Sequence, residues 1–180
     1  MKATGVVRRI DDLGRIVIPK EIRKTLRIKE GTPLEIFTEK EGDIILKKYS
    51  PIGELSTFSS EYVECLSKVT NYIAIVTDKD CVISVCGMPK KDILEESISE
   101  KLEKIIDNRK PVLLEPENFI QITSKKILEK SYEIIIPILS FSEIIGSIII
   151  IPKDKKIKLT DADLNIAKVA ASFLGTQMEI

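Results

Sequence analysis

The stretch "DDLGRIVIPKEIRKTLRI", Asp11 to Ile28, sets five cations (Arg15, Lys20, Arg23, Lys24, Arg27) around a short apolar run that ends in proline. Only Asp11, Asp12 and Glu21 oppose them there. "DDLG" reads as a turn and "RIVI" as a strand. "PKEIRKTL" reads as a short helix, with Pro19 at the first helical position, where its missing N–H costs nothing. Upstream, "GVVRRI" has the composition of another strand. Downstream, "PLEIFTE", a "KEGD" turn and "IILKKY" make a hairpin, with Gly42 supplying the positive φ that tight turns often need. This first unit, residues 1–50, holds only Phe37 and Tyr49 as aromatics and no cysteine. So small a unit buries too little surface to be comfortably stable alone, and no disulfide or metal helps it. The expected remedy is a second copy: a homodimer whose strands share one core.

Charge distribution points to the partner. The chain has 28 basic and 28 acidic residues and no formal net charge. Residues 1–29 nevertheless carry nine basic residues against three acids, so the rest of the chain is correspondingly acidic. A basic head on an acidic body suggests a polyanion as the partner of the head. Histidine is absent, which removes the commonest general base and metal ligand. Neither GxxxxGK[ST] nor GxGxxG is present, so no phosphate-cradling loop of those kinds is expected. Cys65, Cys81 and Cys86 lack CxxC spacing and suit a reducing compartment. The N-terminus shows no apolar signal core, and runs such as "EIIGSIIIIP" fall far short of the roughly 18 residues that suggest a membrane span. The expectation is a cytoplasmic, nucleoid-associated protein, with no membrane partner, no cofactor, no metal and no enzymatic activity.

"SPIGELS" reads as a linker, placed at 51–55, and residues 56–180 form a second domain. "ELSTFSSEYVECLSKVT" has helical spacing, and "YIAIVTDKDCVISVC" is two strands joined by a "DKD" turn. "KDILEESISEKLEKIIDNRK" reads as one amphipathic helix with Leu94, Ile98, Leu102 and Ile105 on a face. "YEIIIPILS" and "EIIGSIIIIP" are nearly continuous apolar strands, as in a sheet covered on both faces. Pro137 implies an edge or a bulge. The last helix, "TDADLNIAKVAASFLGTQM", starts with a capping box of Thr160 and Asp163. It carries two stripes, Leu164, Ala167, Ala171, Leu174 and Ile166, Ala170, Phe173, expected to meet the sheet and a partner helix. The fold class is mixed α+β: a β-rich head and an α/β body.

"ATGVVRRIDDLGRIVIPKEIRKTLRI", with "LEIF" and "IILKKY" behind it, resembles the AbrB-type swapped-hairpin DNA-binding domain of bacterial transition-state regulators. "DDLGRIVIPKEIR" is a specific signature, and with the acidic body behind it the whole chain is similar to sporulation regulators whose C-terminal part is GAF-like. The resemblance implies a dimer of interleaved hairpins on double-stranded DNA, contacted by Arg8, Arg15 and Arg23. The next position, often arginine in the family, is Lys24, which keeps the charge but not the bidentate fork. Lys2, Arg9 and Lys20 are weaker candidates for phosphate contacts. Recognition is expected to tolerate sequence and to read DNA shape in part. Activation or repression of sporulation genes is implied.

The body can sense a small-molecule effector, or simply oligomerise, the small-residue "AKVAAS" stripe suiting a tetramer contact. No pocket residue is identifiable, and the cyclic-nucleotide GAF signature is absent. Two other readings stand beside this one. Cys81 and Cys86 suggest a GAF-type thiol redox enzyme or sensor, although odd spacing on a strand points them to opposite faces and buried packing explains them too. An antitoxin-type DNA-binding protein is the other, although antitoxin tails are usually short and disordered until bound.

Overall fold

The structure is a computed structural model. It describes residues 5–39, 42–50, 52 and 56–178, and its chain divides into two compact units, Met1–Tyr49 and Ser50–Ile180. In the first unit, α1 (Lys20–Thr25) is followed by an antiparallel hairpin of β1 (Leu34–Thr38) and β2 (Ile44–Lys48), in register from Leu34 opposite Lys48 to Thr38 opposite Ile44. Pro19 stands at the helix N-cap with ψ 146°, one residue ahead of the expected first helical position. α1 buries no residue.

The two strands expected at "GVVRRI" and "RIVI" do not form ladders here. Gly5–Ile10 and Arg15–Ile18 have no strand assignment, and Val7 (85% exposed), Ile10, Leu13, Ile16 and Val17 (71% exposed) face solvent. The physical reason is that a strand exists through its partner's hydrogen bonds. Within the described residues of one chain, these two segments have no strand to pair with.

The second unit is a five-stranded, wholly antiparallel sheet in the order β4-β3-β7-β6-β5. Its strands are β3 (Tyr72–Thr77), β4 (Val82–Cys86), β5 (Val112–Leu114), β6 (Glu133–Ser140) and β7 (Glu143–Pro152). Helices α2 (Ser56–Thr70) and α4 (Asp161–Gln177) cover one face, sharing a core with Ala74, Val76, Ile134, Ile136, Ile148 and Ile150. On the other face α3 (Glu100–Asp107) and the surrounding loops meet Ile75, Val82, Ile135, Ile149 and Ile151. The alternation of Ile134 with Ile135, and of Ile148 with Ile149, explains the unbroken isoleucine runs: both faces need apolar side chains.

Three expectations are refined. The helix anticipated from Lys91 to Lys110 is restricted to α3, because the Ser99 hydroxyl accepts from the Leu102 N–H (3.2 Å) and starts it late. Leu94 and Ile98 therefore precede the helix, and Ile98 instead bridges to Thr123. Pro137 lies in a strand flanked on both sides, but β5 pairs only with Glu133–Ile135, so the missing N–H meets no ladder on that side. A register shift follows at Ile138/Leu139. At the start of α4, Asp163 Oδ2 accepts from both the N–H (2.8 Å) and the hydroxyl (2.7 Å) of Thr160. Tyr72 OH donates to the other Asp163 oxygen (3.0 Å). Burial pushes this carboxyl up, but these bonds outweigh it and hold the pKa below its ordinary value.

Gly146, opposite Ile138, lies where β7 crosses the β3 end, and an added Cβ would collide with the Thr77 carbonyl oxygen. Backbone cannot yield as a side-chain tip can. Gly146→Ala is expected to cost about 1–3 kcal/mol, read as a lower urea midpoint at unchanged slope.

Candidate nucleic-acid interface

In the head the candidate cations are displayed by a turn and a short helix. Asp11 organises the turn: its Oδ1 accepts from the N–H groups of Leu13 (3.0 Å) and Arg15 (2.7 Å). Gly14 N–H donates to the Asp11 carbonyl (3.0 Å) and Asp11 N–H to the Arg15 carbonyl (3.1 Å). Asp11 Oδ2 takes the Arg15 Nε–H at 2.8 Å. The Arg15 backbone and side-chain bonds hold the Asp11 carboxyl below its ordinary range. The turn thus aims Arg15 while leaving much of its guanidinium in water. Sequence reading places Asp11 in the turn but counts its charge only as opposing the cations; the D-x-x-G spacing is the signal that it braces the turn.

Arg8, Arg9, Lys20, Arg23 and Lys24 are all exposed. Arg23 and Lys24 lie in the last turn of α1, where the Arg23 carbonyl accepts from Ile28 N–H (2.7 Å) and Arg27 takes a left-handed φ of 53°. Arg8 donates to the neighbouring Val7 carbonyl (3.3 Å). Lys2 lies outside the described residues. Lys47 sits 4.8 Å from the centre of the Phe37 ring, a cation–π contact on the hairpin that sequence reading missed.

The linker expected at 51–55 falls mostly outside the described residues. Ile52 within it is fully buried in the body's core. Just before it, Ser50 Oγ donates to Asp78 Oδ2 (2.8 Å) in the β3–β4 turn. Asp78 also accepts from the N–H groups of Asp80 and Cys81, so the body grips the chain at its first residues. Cys65, Cys81 and Cys86 are in no disulfide; Cys86 packs at the edge of a core, and Cys81 Sγ is 3.7 Å from Asp78 Oδ2. Among the described residues no cluster of carboxylates or cysteines has metal-binding geometry, and no helix is long and apolar enough to cross a membrane.

On the α2–α4 face, Phe173 meets Phe58 (ring centres 5.8 Å apart) and Tyr62 (5.5 Å). The first stripe of α4 does meet the sheet, with Ala167, Ala171 and Leu174 buried. Of the second stripe, Ala170 is buried while Ile166 and Phe173, with Val169 (67% exposed), look outward.

The body's fold is that of a GAF domain. It superposes on the cofactor-binding GAF domain of the nutrient sensor CodY from Clostridium difficile with a TM-score of 0.52, at 16% identity, over 66% of this chain and 83% of that one. A basic, solvent-facing head ahead of a GAF-type body is the build of a DNA-binding transcription regulator. The model described as "Stage V sporulation protein T C-terminal, transcription factor" matches residues 54–179. Stage V sporulation protein T of Bacillus subtilis is 45% identical over 99% of both chains. This chain belongs to the stage V sporulation protein T family.

The head alone is 59% identical to the Bacillus subtilis transition state regulatory protein AbrB over 51 residues, 28% of this chain and 52% of that protein. The model "Antidote-toxin recognition MazE, bacterial antitoxin" also matches, at residues 7–54, and leaves the rest of the body uncovered. The body behind it is a sheet with a core on each face, unlike a tail that folds only on binding.

Proposed function

We propose that this regulator controls sporulation genes as a homodimer assembled through its head. Residues 1–50 form the DNA-binding part, 51–55 the joint, and 56–180 an oligomerising and effector-sensing body that carries out no catalysis. The observation that carries this reading is the exposed apolar run of Val7, Ile10, Leu13, Ile16 and Val17, in segments that carry no strand ladder among the described residues. Pairing two chains would complete those ladders and bring two sets of cations onto one surface. Arg8, Arg15, Arg23 and Lys24 then contact DNA, with Lys2, Arg9 and Lys20 on phosphates. Recognition tolerates sequence, since phosphate contacts carry position rather than sequence information. The outward face of α2 and α4, with Val69, Ile166, Val169 and Phe173, supports a second pairing and hence a tetramer.

Sedimentation equilibrium of the full chain alongside fluorescence anisotropy on a mixed-sequence duplex tests this. Val7→Asp with Val17→Asp is expected to break head pairing and to abolish DNA binding, while a still-paired, fully binding double variant would overturn the reading. Asp11→Ala removes a negative charge yet is expected to weaken binding about tenfold, the scale of one charge-assisted contact, because Arg15 loses its brace. Replacing Cys81 and Cys86 with serine is expected to leave oligomer size and DNA affinity unchanged; loss of either would favour a thiol-dependent role.

A further inference from the structure

At the β4 edge of the sheet lies a cavity of about 260 Å³, open to solvent and lined by Thr57 and Ser60 of α2, Ile83, Ser84 and Val85 of β4, and Lys90, Leu94 and Glu95. One of its lining residues is an anomaly. Ser84, paired opposite Val76, is 1% exposed, and its hydroxyl has no hydrogen-bond partner among the described residues. A buried hydroxyl left unsatisfied is costly, and a polar partner held beside it is one way such a group is accounted for.

The rim supplies opposite charges. Lys90 and Glu95 both face solvent, and no ion pair joins them among the described residues. Glu64 of α2, which feels the Lys90 charge, is already bonded to Lys68 at 2.7 Å. Glu95 holds a left-handed φ of 62°, unusual outside glycine. Its N–H donates to the Val82 carbonyl (2.9 Å) and the Leu94 N–H to the Lys90 carbonyl (2.9 Å), which fixes the short segment carrying both charges against β4. Thr57, Ser60 and Ser84 bring three hydroxyls between them, and Ile83, Val85 and Leu94 bring a small apolar surface.

We propose that this cavity is a binding site for a small zwitterion of the free amino-acid class. Its carboxylate meets Lys90, its ammonium meets Glu95, and the unsatisfied Ser84 hydroxyl gains a partner in whichever of the two groups comes within its reach. The volume lies just below the roughly 300–1,000 Å³ typical of drug-sized pockets, which limits the occupant to a single small metabolite. A sugar or polyol would use the hydroxyls but leave both rim charges idle, and a nucleotide would be too large and too anionic beside Glu95. The inference rests on the reading of the body as an effector-sensing domain and gives that reading a location and a ligand class.

The test is isothermal titration calorimetry of the full-length protein with each of the protein amino acids in turn. The Nα-acetyl and methyl ester forms of any binder, each lacking one charge, serve as controls. At least one free amino acid should bind with one site per chain, and both capped forms should bind at least about tenfold more weakly. Lys90→Met and Glu95→Gln, at exposed positions that the fold does not need, should each weaken binding by a similar factor, and Ser84→Ala by less. Binding that survives both rim substitutions overturns this site while leaving effector sensing intact. Absence of binding by every amino acid overturns the zwitterion class. A binder lost in the variants, yet without influence on the anisotropy-measured DNA affinity, sustains the site and counts against the sensing reading on which it was placed.

Discussion

DNA affinity of the assembled protein is expected to fall about 10⁴-fold as salt rises from about 50 to about 200 mM. The figure follows from the count of cations proposed above to meet DNA in the proposed dimer. Arg8, Arg15, Arg23 and Lys24 are four per chain and so eight per dimer. Each neutralised phosphate releases counterions worth about 0.9 in the log–log slope, which gives a slope near −7. The cations do not contribute equally. Arg15 is already compensated by Asp11 at 2.8 Å, whereas among the described residues no carboxylate pairs with Arg23 on the exposed helix turn it shares with Lys24. Arg23→Ala should therefore make the slope shallower by about 2 per dimer, and Arg15→Ala by less. Anisotropy titrations on one duplex at several salt concentrations measure both. A flat salt profile, or a slope untouched by Arg23→Ala, would sink the phosphate mechanism.

What could be read in advance depended on whether a feature was local. The Asp11–Gly14 turn, the Leu34–Lys48 hairpin, the paired apolar strands Glu133–Pro152 and the Thr160–Asp163 cap all declare themselves within a few residues, and each is present. The short strand Val112–Leu114 was not read, because three apolar residues before a proline carry no period. The sequence near Leu94 reads as a longer helix than forms, since its apolar spacing persists through an isolated bridge at Ile98. The basic character of the head was legible from charge asymmetry, and the spacing pointed to Asp11 as the turn's brace, but the Asp11 contact to the Arg15 side chain lies beyond what spacing gives. Least legible were Ser84 and Glu133. A single polar residue in an apolar run looks like a strand's solvent face, and only the packed sheet reveals that both are buried. "RIVI" illustrates the opposite limit: its sequence says strand, and the described residues of a single chain do not provide the partner.

Glu133 should impose a pH dependence on stability that Glu133→Gln abolishes. This side chain opens β6 at 0% exposure, on the face lined by Ile120, Ile122 and Ile135. One carboxyl oxygen accepts from the Ile120 N–H at 3.2 Å, and the other has no partner among the described residues. Burial is the dominant cause that pushes its pKa up to about 8, opposed only by that single backbone bond. In the unfolded chain the group returns to an ordinary carboxyl value. Below that value it is protonated in both states and costs nothing. Between it and about 8 the folded state keeps a proton that the unfolded state releases, so stability falls as pH rises through that window. At pH 7 the accumulated loss is about 3 kcal/mol relative to pH 4. Glutamine retains the shape and an acceptor for Ile120 N–H but cannot ionise, so the variant loses this slope. Other titrating groups contribute alike to both proteins, and the difference between their urea-unfolding free energies at a series of pH values isolates this one. That difference should grow steadily in favour of the variant from about pH 4.5 and level off near pH 8; parallel curves would mean that Glu133 finds a partner for its charge when the protein folds.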